Sequence, residues 1–145
     1  MAVVMPDREL LSNDYFKVLA EDDARTIRLV RTATPFPSEA VVEETFTALD
    51  RATAHVVGDW SLLIDSRGGP LRNDPHFESV LSRVRARIFA RFGHIAVLVK
   101  SAVGKLQVAR YAREDNKESR VFDDEIAARA YLAQRHPLTA KPPQR

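Results

Sequence analysis

Hydrophobic and polar positions along the chain change period several times, and each change marks an element. Asn13 to Ala20 (NDYFKVLA) and Arg25 to Arg31 (RTIRLVR) are rich in β-branched and aromatic residues and are joined by the acidic stretch Glu21 to Ala24, which predicts an antiparallel hairpin. Thr26, Arg28 and Val30 alternate with Ile27 and Leu29, so one face of the second strand is largely polar while the other enters the core. The hairpin is therefore expected at or near a sheet edge. After the breaker TPFPS, Ser38 is placed to cap a helix over about residues 39–55, with Val42, Phe46, Leu49 and Thr53 on its inner face.

Trp60 to Ile64 and Ile95 to Val99 are short apolar runs without alternation, as in strands buried on two faces. Between them Asp74 and Pro75 suit a helix start, Phe77, Leu81, Val84, Ile88 and Phe92 trace one stripe, and Gly93 ends it. Strand, helix and strand at this spacing form a parallel crossover unit. Ser101 is placed to cap a further helix to about Arg113, Arg120 to Phe122 form a short strand, and Asp123 is expected to cap a last helix with Ile126, Ala127, Ala130 and Tyr131 inward. The predicted architecture is ββαβαβαβα, an N-terminal hairpin feeding a mostly parallel sheet covered by helices, in the α/β class. Residues 1–12 are read as an N-terminal arm, 13–136 as one domain and 137–145 as a flexible tail.

Composition fits this picture without sharpening it. The chain has 145 residues, 45% apolar and 29% charged, the balance of an ordinary globular domain. Cysteine is absent, which removes thiol nucleophiles, disulfides and thiolate metal sites and fits a cytoplasmic protein. The start MAVVMPDRELL is too short in apolar residues for a signal peptide, and no run long enough to span a membrane occurs. A net charge of +2 gives no positive field that would argue for nucleic acid.

Candidate chemistry gathers at the carboxyl ends of the predicted parallel strands, where open α/β sheets bind ligands. Asp65, Ser66, Arg67, Gly68, Gly69, Arg72, Asn73, Asp74, Lys100, Ser101 and Lys105 would meet there beside two helix starts, forming an edge for a phosphorylated or acidic partner or ligand. The plainer reading is that Asp65 and Ser66 satisfy local backbone groups and that the arginines are solvated. Gly104-Lys105 lacks the earlier glycine and following hydroxyl of a phosphate-binding loop. His55, His76, His94 and His136 fall on separate elements without metal-ligand spacing, and no cofactor is expected. Arg83, Arg85, Arg87 and Arg91 flank both sides of one helical stripe instead of forming one basic face, so their stems are expected to cover core edges. The opposite helix face carries Ser79, Ser82, Ala86 and Ala90, small enough for close approach by a second copy or a partner helix.

Three stretches, LLIDSRGG, IAVLVKSAVGKLQVARYA and VFDDEIAARAYLA, taken in this order over about Asn13 to Gln134, resemble the STAS or SpoIIAA-like domains, typified by bacterial anti-sigma factor antagonists and related to stand-alone STAS/SEC14-like proteins. The resemblance implies a non-enzymatic signalling module that docks on a protein partner through the loop after its third strand and the following helix. Phosphorylation-switched members carry a Ser or Thr at the start of that helix in an Asp-Ser-Ser-Gly-like motif. Here Asp74 matches the acidic residue, but Pro75 follows and has no hydroxyl, so the usual switch is not expected. Ser66 is the remaining phosphorylation candidate, nearer the strand. The SEC14-like relatives imply an alternative, binding of a small or lipid-like molecule.

Overall fold

The computed structural model describes residues 7–56, 59–69, 78–100 and 120–135. Among these residues six strands, β1 (Arg8–Ser12), β2 (Phe16–Glu21), β3 (Thr26–Arg31), β4 (Ser61–Asp65), β5 (His94–Leu98) and β6 (Arg120–Phe122), form one sheet in sequential order. The first two pairings are antiparallel and the remaining three are parallel. Among the described residues three α-helices accompany them, α1 (Glu39–Ala52), α2 (Glu78–Phe89) and α3 (Glu125–Arg135). The chain is thus α/β with a mixed sheet, and the hairpin leads into its parallel part.

Alternation along β4 and β5 shows how the layers are arranged. Leu62, Ile95, Val97 and Val99 pack into a large core with Val42, Phe46 and Leu49 of α1 and Leu81, Val84 and Ile88 of α2. Leu63, Ala96 and Leu98 join Ala128, Tyr131 and Leu132 of α3 in a smaller core. Neighbouring residues of one strand point to opposite faces, so α1 and α2 cover one face and α3 the other. The unbroken apolar runs are apolar because both faces are buried.

Ser38 caps α1 as expected, its Oγ accepting from Val41 N at 3.2 Å. Thr53, just past the helix, is buried and its hydroxyl donates to the Leu49 carbonyl at 2.9 Å.

Three expectations change. The predicted arm contains β1, which pairs with β2 and makes the hairpin the second and third strands of the sheet. Leu10 and Leu11 are adjacent in the sequence and both half-buried, which the register shift between Glu9 and Leu11 accommodates, so no strand alternation shows. The last helix is rotated from the predicted phase: Ile126 is 79% exposed and Ala130 lies outside, while Ala128, Tyr131 and Leu132 face the sheet. Its cap is Asp124, one residue later than expected, with Oδ1 accepting from Ile126 N and the carbonyl from Ala128 N. The predicted helix from Ser101 and the start of α2 at Asp74 and Pro75 lie outside the described residues.

Candidate functional site

The strand mouth at Asp65 is built from ion pairs. Asp65 ends β4 on the α3 face, where its side chain is 8% exposed. Arg28, also on that face because it pairs in register with Leu63, donates from Nη2 to Asp65 Oδ2 at 2.8 Å and from Nη1 to Glu125 Oε2 at 2.9 Å. Arg67 closes the circuit. Its backbone N and Nε donate to Asp65 Oδ1 at 3.2 and 3.0 Å, and its Nη2 reaches Asp65 Oδ2 at 2.9 Å and Glu125 Oε1 at 3.0 Å. Arg28, Asp65, Arg67 and Glu125 therefore form a closed ring. Arg129 extends it, donating to Glu125 Oε2 at 2.9 Å and gripping both oxygens of Glu21 at 2.7 and 2.9 Å.

Three guanidiniums thus face three carboxylates between β2, β3, β4 and the first turns of α3. Hydrogen bonds from Arg28 and Arg129 hold Glu125 down from its ordinary value of 4.5 to about 2, against partial burial. Burial would raise Asp65, but hydrogen bonds from Arg67 and the charges of Arg67 and Arg28 outweigh it and lower it. Asp65 raises the Arg67 guanidinium, and Glu21 raises that of Arg129. A carboxylate held ionised by paired guanidiniums is a poor proton acceptor near neutral pH. The ring locks the strand mouth to α3 and leaves Asp65 suited to structure, not to acid–base work.

Of the predicted edge, Asp65, Ser66, Arg67 and Gly68 come together in one turn. Ser66 N donates to the Leu98 carbonyl at 2.9 Å, tying the turn to β5, and Gly69 N donates to the Ser66 carbonyl at 3.0 Å. Ser66 is half-buried, and Lys100 is exposed one residue beyond Val99. Arg72, Asn73, Asp74, Ser101 and Lys105 lie outside the described residues. Ser79 and Ala86 on α2 and Ala90 just past its end are exposed as expected, while Ser82 is half-buried. Arg83 pairs with Glu43 of α1, and Arg91 binds Asp50 and the Thr53 carbonyl at 3.0 and 2.7 Å. These two arginines tie α2 to α1, as stems lying over core edges would. Among the described residues no group of His, Asp and Glu side chains converges to hold a metal ion, and no helix is long and apolar enough to cross a membrane.

Sequence reading missed a second arginine environment at the same strand ends. Arg31 ends β3 on the opposite face from Arg28, paired in register with Phe16. Its guanidinium carbon lies 4.7 Å from the ring centre of Phe36 and 5.5 Å from that of Phe16, and Tyr15 stacks on Phe36 at 5.0 Å. Nη1 donates to the Tyr15 carbonyl at 2.9 Å and, at the 3.5 Å limit, to those of Thr32 and Thr34. Burial lowers its pKa, and no carboxylate among the described residues offsets that. The turn after β4 packs on it closely: a Cβ built on Gly69 would lie 3.2 Å from Arg31 Cβ. The available signal was weak, a cation at the end of an alternating strand followed by a proline-flanked phenylalanine.

Comparison with known proteins gives no match to a family model, a curated protein or a solved structure.

Proposed function

We propose that the chain is a protein-docking module of the STAS/SpoIIAA-like type, which engages its partner through the turn after β4 and the outer face of α2 and performs no chemistry of its own. The observation that carries this reading is the ring. Asp65, the acid of the strand-mouth turn, is held ionised by Arg28 and Arg67, and the contacts of the same arginines to Glu125 tie residues 65–67 to α3. A turn anchored in this way, together with the exposed small side chains of α2, suits recognition, because little is lost in ordering those residues on contact. The α/β class and the mixed sheet are compatible with that reading.

Pro75 argues against the family's usual phosphoswitch, so docking would be constitutive or governed through the partner. Native affinity capture followed by native mass spectrometry tests the reading. A stoichiometric protein partner that is lost in Ala86→Glu, at unchanged thermal stability, is the expected result. A small or lipid-like molecule released from denatured protein, with capture indifferent to Ala86→Glu, would establish the ligand-binding alternative instead.

A further inference from the structure

We propose that Arg31 is an oxyanion-binding residue, holding a carboxylate or phosphate group through the Nε–Nη2 edge of its guanidinium at the carboxyl ends of β3 and β4. A guanidinium offers five N–H donors in a planar fork, and carboxylates and phosphates are matched by two of them side by side. In Arg31 the backbone carbonyls take up Nη1 only. Among the described residues nothing accepts from Nε or Nη2, so one edge with bidentate geometry is left open.

The surroundings hold that edge in place. The rings of Phe36 and Phe16 pack against the guanidinium from one side, and the Tyr15 carbonyl anchors one corner, so few side-chain conformations are lost when an anion arrives. Arg31 is half-buried, in an environment drier than a surface arginine has, and electrostatic attraction there exceeds that in water. The contrast with Arg67 decides which arginine of this edge is the binder. Arg67 already spends its fork on Asp65 and Glu125, and a second anion there would be repelled by both. Arg31 faces no acid among the described residues.

The site adjoins the docking loop, since Val30 is in register with Asp65 and Gly69 approaches Arg31 Cβ. As the anchor of a partner's acidic or phosphorylated side chain, the proposal rests on the docking reading. As an oxyanion site it stands without it, because a free anion has the same chemistry.

The experiment is a titration of the full, isotope-labelled chain with inorganic phosphate, following the Nε–H resonance of Arg31 and the amides of Thr32 and Gly69 by NMR. A saturable shift of the Arg31 Nε–H is expected in the wild type, and the Thr32 and Gly69 shifts are expected to vanish in Arg31→Lys, which keeps the charge but lacks the fork. Absence of a wild-type shift overturns the proposal even if the variant does not fold, and so do amide shifts that persist in a folded Arg31→Lys. A matched pair of short peptides, with serine or phosphoserine, identifies the source. Phosphopeptide binding about tenfold tighter than phosphate assigns a partner's side chain, whereas equal affinity assigns a free anion. Failure of the phosphate titration leaves partner capture unaffected, and failure of capture leaves the titration unaffected, so the two readings fall separately.

Discussion

Arg28 and Arg31 stand three residues apart on β3, on opposite faces of the sheet, and they solve the problem of a partly buried cation in different ways. Arg28, 17% exposed in its side chain, is matched by Asp65 and Glu125 and belongs to a network that continues to Arg67, Arg129 and Glu21. Arg31 is matched by carbonyl oxygens and aromatic rings and by no carboxylate among the described residues. The first arrangement is closed: every charge has its opposite, and removing one exposes the others. The second is open on one edge. The α3 face holds its arginines in a closed ionic network, whereas Arg31 on the other face has no carboxylate partner among the described residues.

Matched substitutions break this comparison most sharply. Arg28→Met keeps the apolar stem and deprives Asp65 and Glu125 of a partner each, so stability should fall by about 2–3 kcal/mol, somewhat below the usual cost of a broken buried pair because Asp65 retains Arg67. Arg31→Met removes a cation with no acid to orphan. The lost cation–π attraction, about 0.5–1 kcal/mol, is offset by relief of the buried charge, and the net change should stay within about 1 kcal/mol. Urea unfolding of both variants at unchanged m-value measures the difference. Equal losses at the two positions would erase the distinction.

Acid sharpens the comparison from the other side. Glu125 has a folded-state pKa of about 2 against an ordinary 4.5, so the folded state binds fewer protons and the ring's stabilisation is complete above about pH 4.5. It is lost progressively as the pH falls toward 2. Glu125→Gln should be less stable at neutral pH and show a flatter decline over that window, whereas Arg31→Met should keep the wild-type slope. Thermal melts at stepped pH read both.

The same contrast explains what could be read from the sequence. Local features were legible: Ser38 as the cap of α1, the stripe of Val42, Phe46, Leu49 and Thr53, and the two-sided burial of β4 and β5 all follow from spacing within one element. The ring and its extension were not, because their residues lie at 21, 28, 65, 67, 125 and 129, and only Glu125 and Arg129 are helical neighbours in sequence. Asp65 and Arg67 could be recognised as a charged strand end, but nothing nearby in the chain named Arg28 or Glu125 as their partners. Arg31 was hidden for a related reason. Its aromatic walls come from Phe16, through strand register, and from Phe36, across a loop. β1 escaped because its bulge breaks the alternation by which strands are recognised.

The smallest effect concerns how α3 is fastened over the ring. A helix with one large aliphatic residue in its first turn invites the expectation that this residue points inward, yet Ile126 is 79% exposed and the sheet is met by Ala128, Tyr131 and Leu132, one three-residue and one four-residue step apart. That phase places Glu125 and Arg129, four apart, on the flank where they reach Arg28, Arg67 and Glu21. Turning Ile126 inward would carry Glu125 away from the ring. The ionic contacts and the apolar ones therefore favour the same rotation of the helix, and Ile126 bears the consequence by facing water. Ile126→Lys should change stability by no more than about 0.5 kcal/mol, as for other surface substitutions, and should leave the acid limb set by Glu125 where it is. A loss of several times that size would mean that Ile126 is covered in solution and that the helix sits in the phase its sequence first suggested.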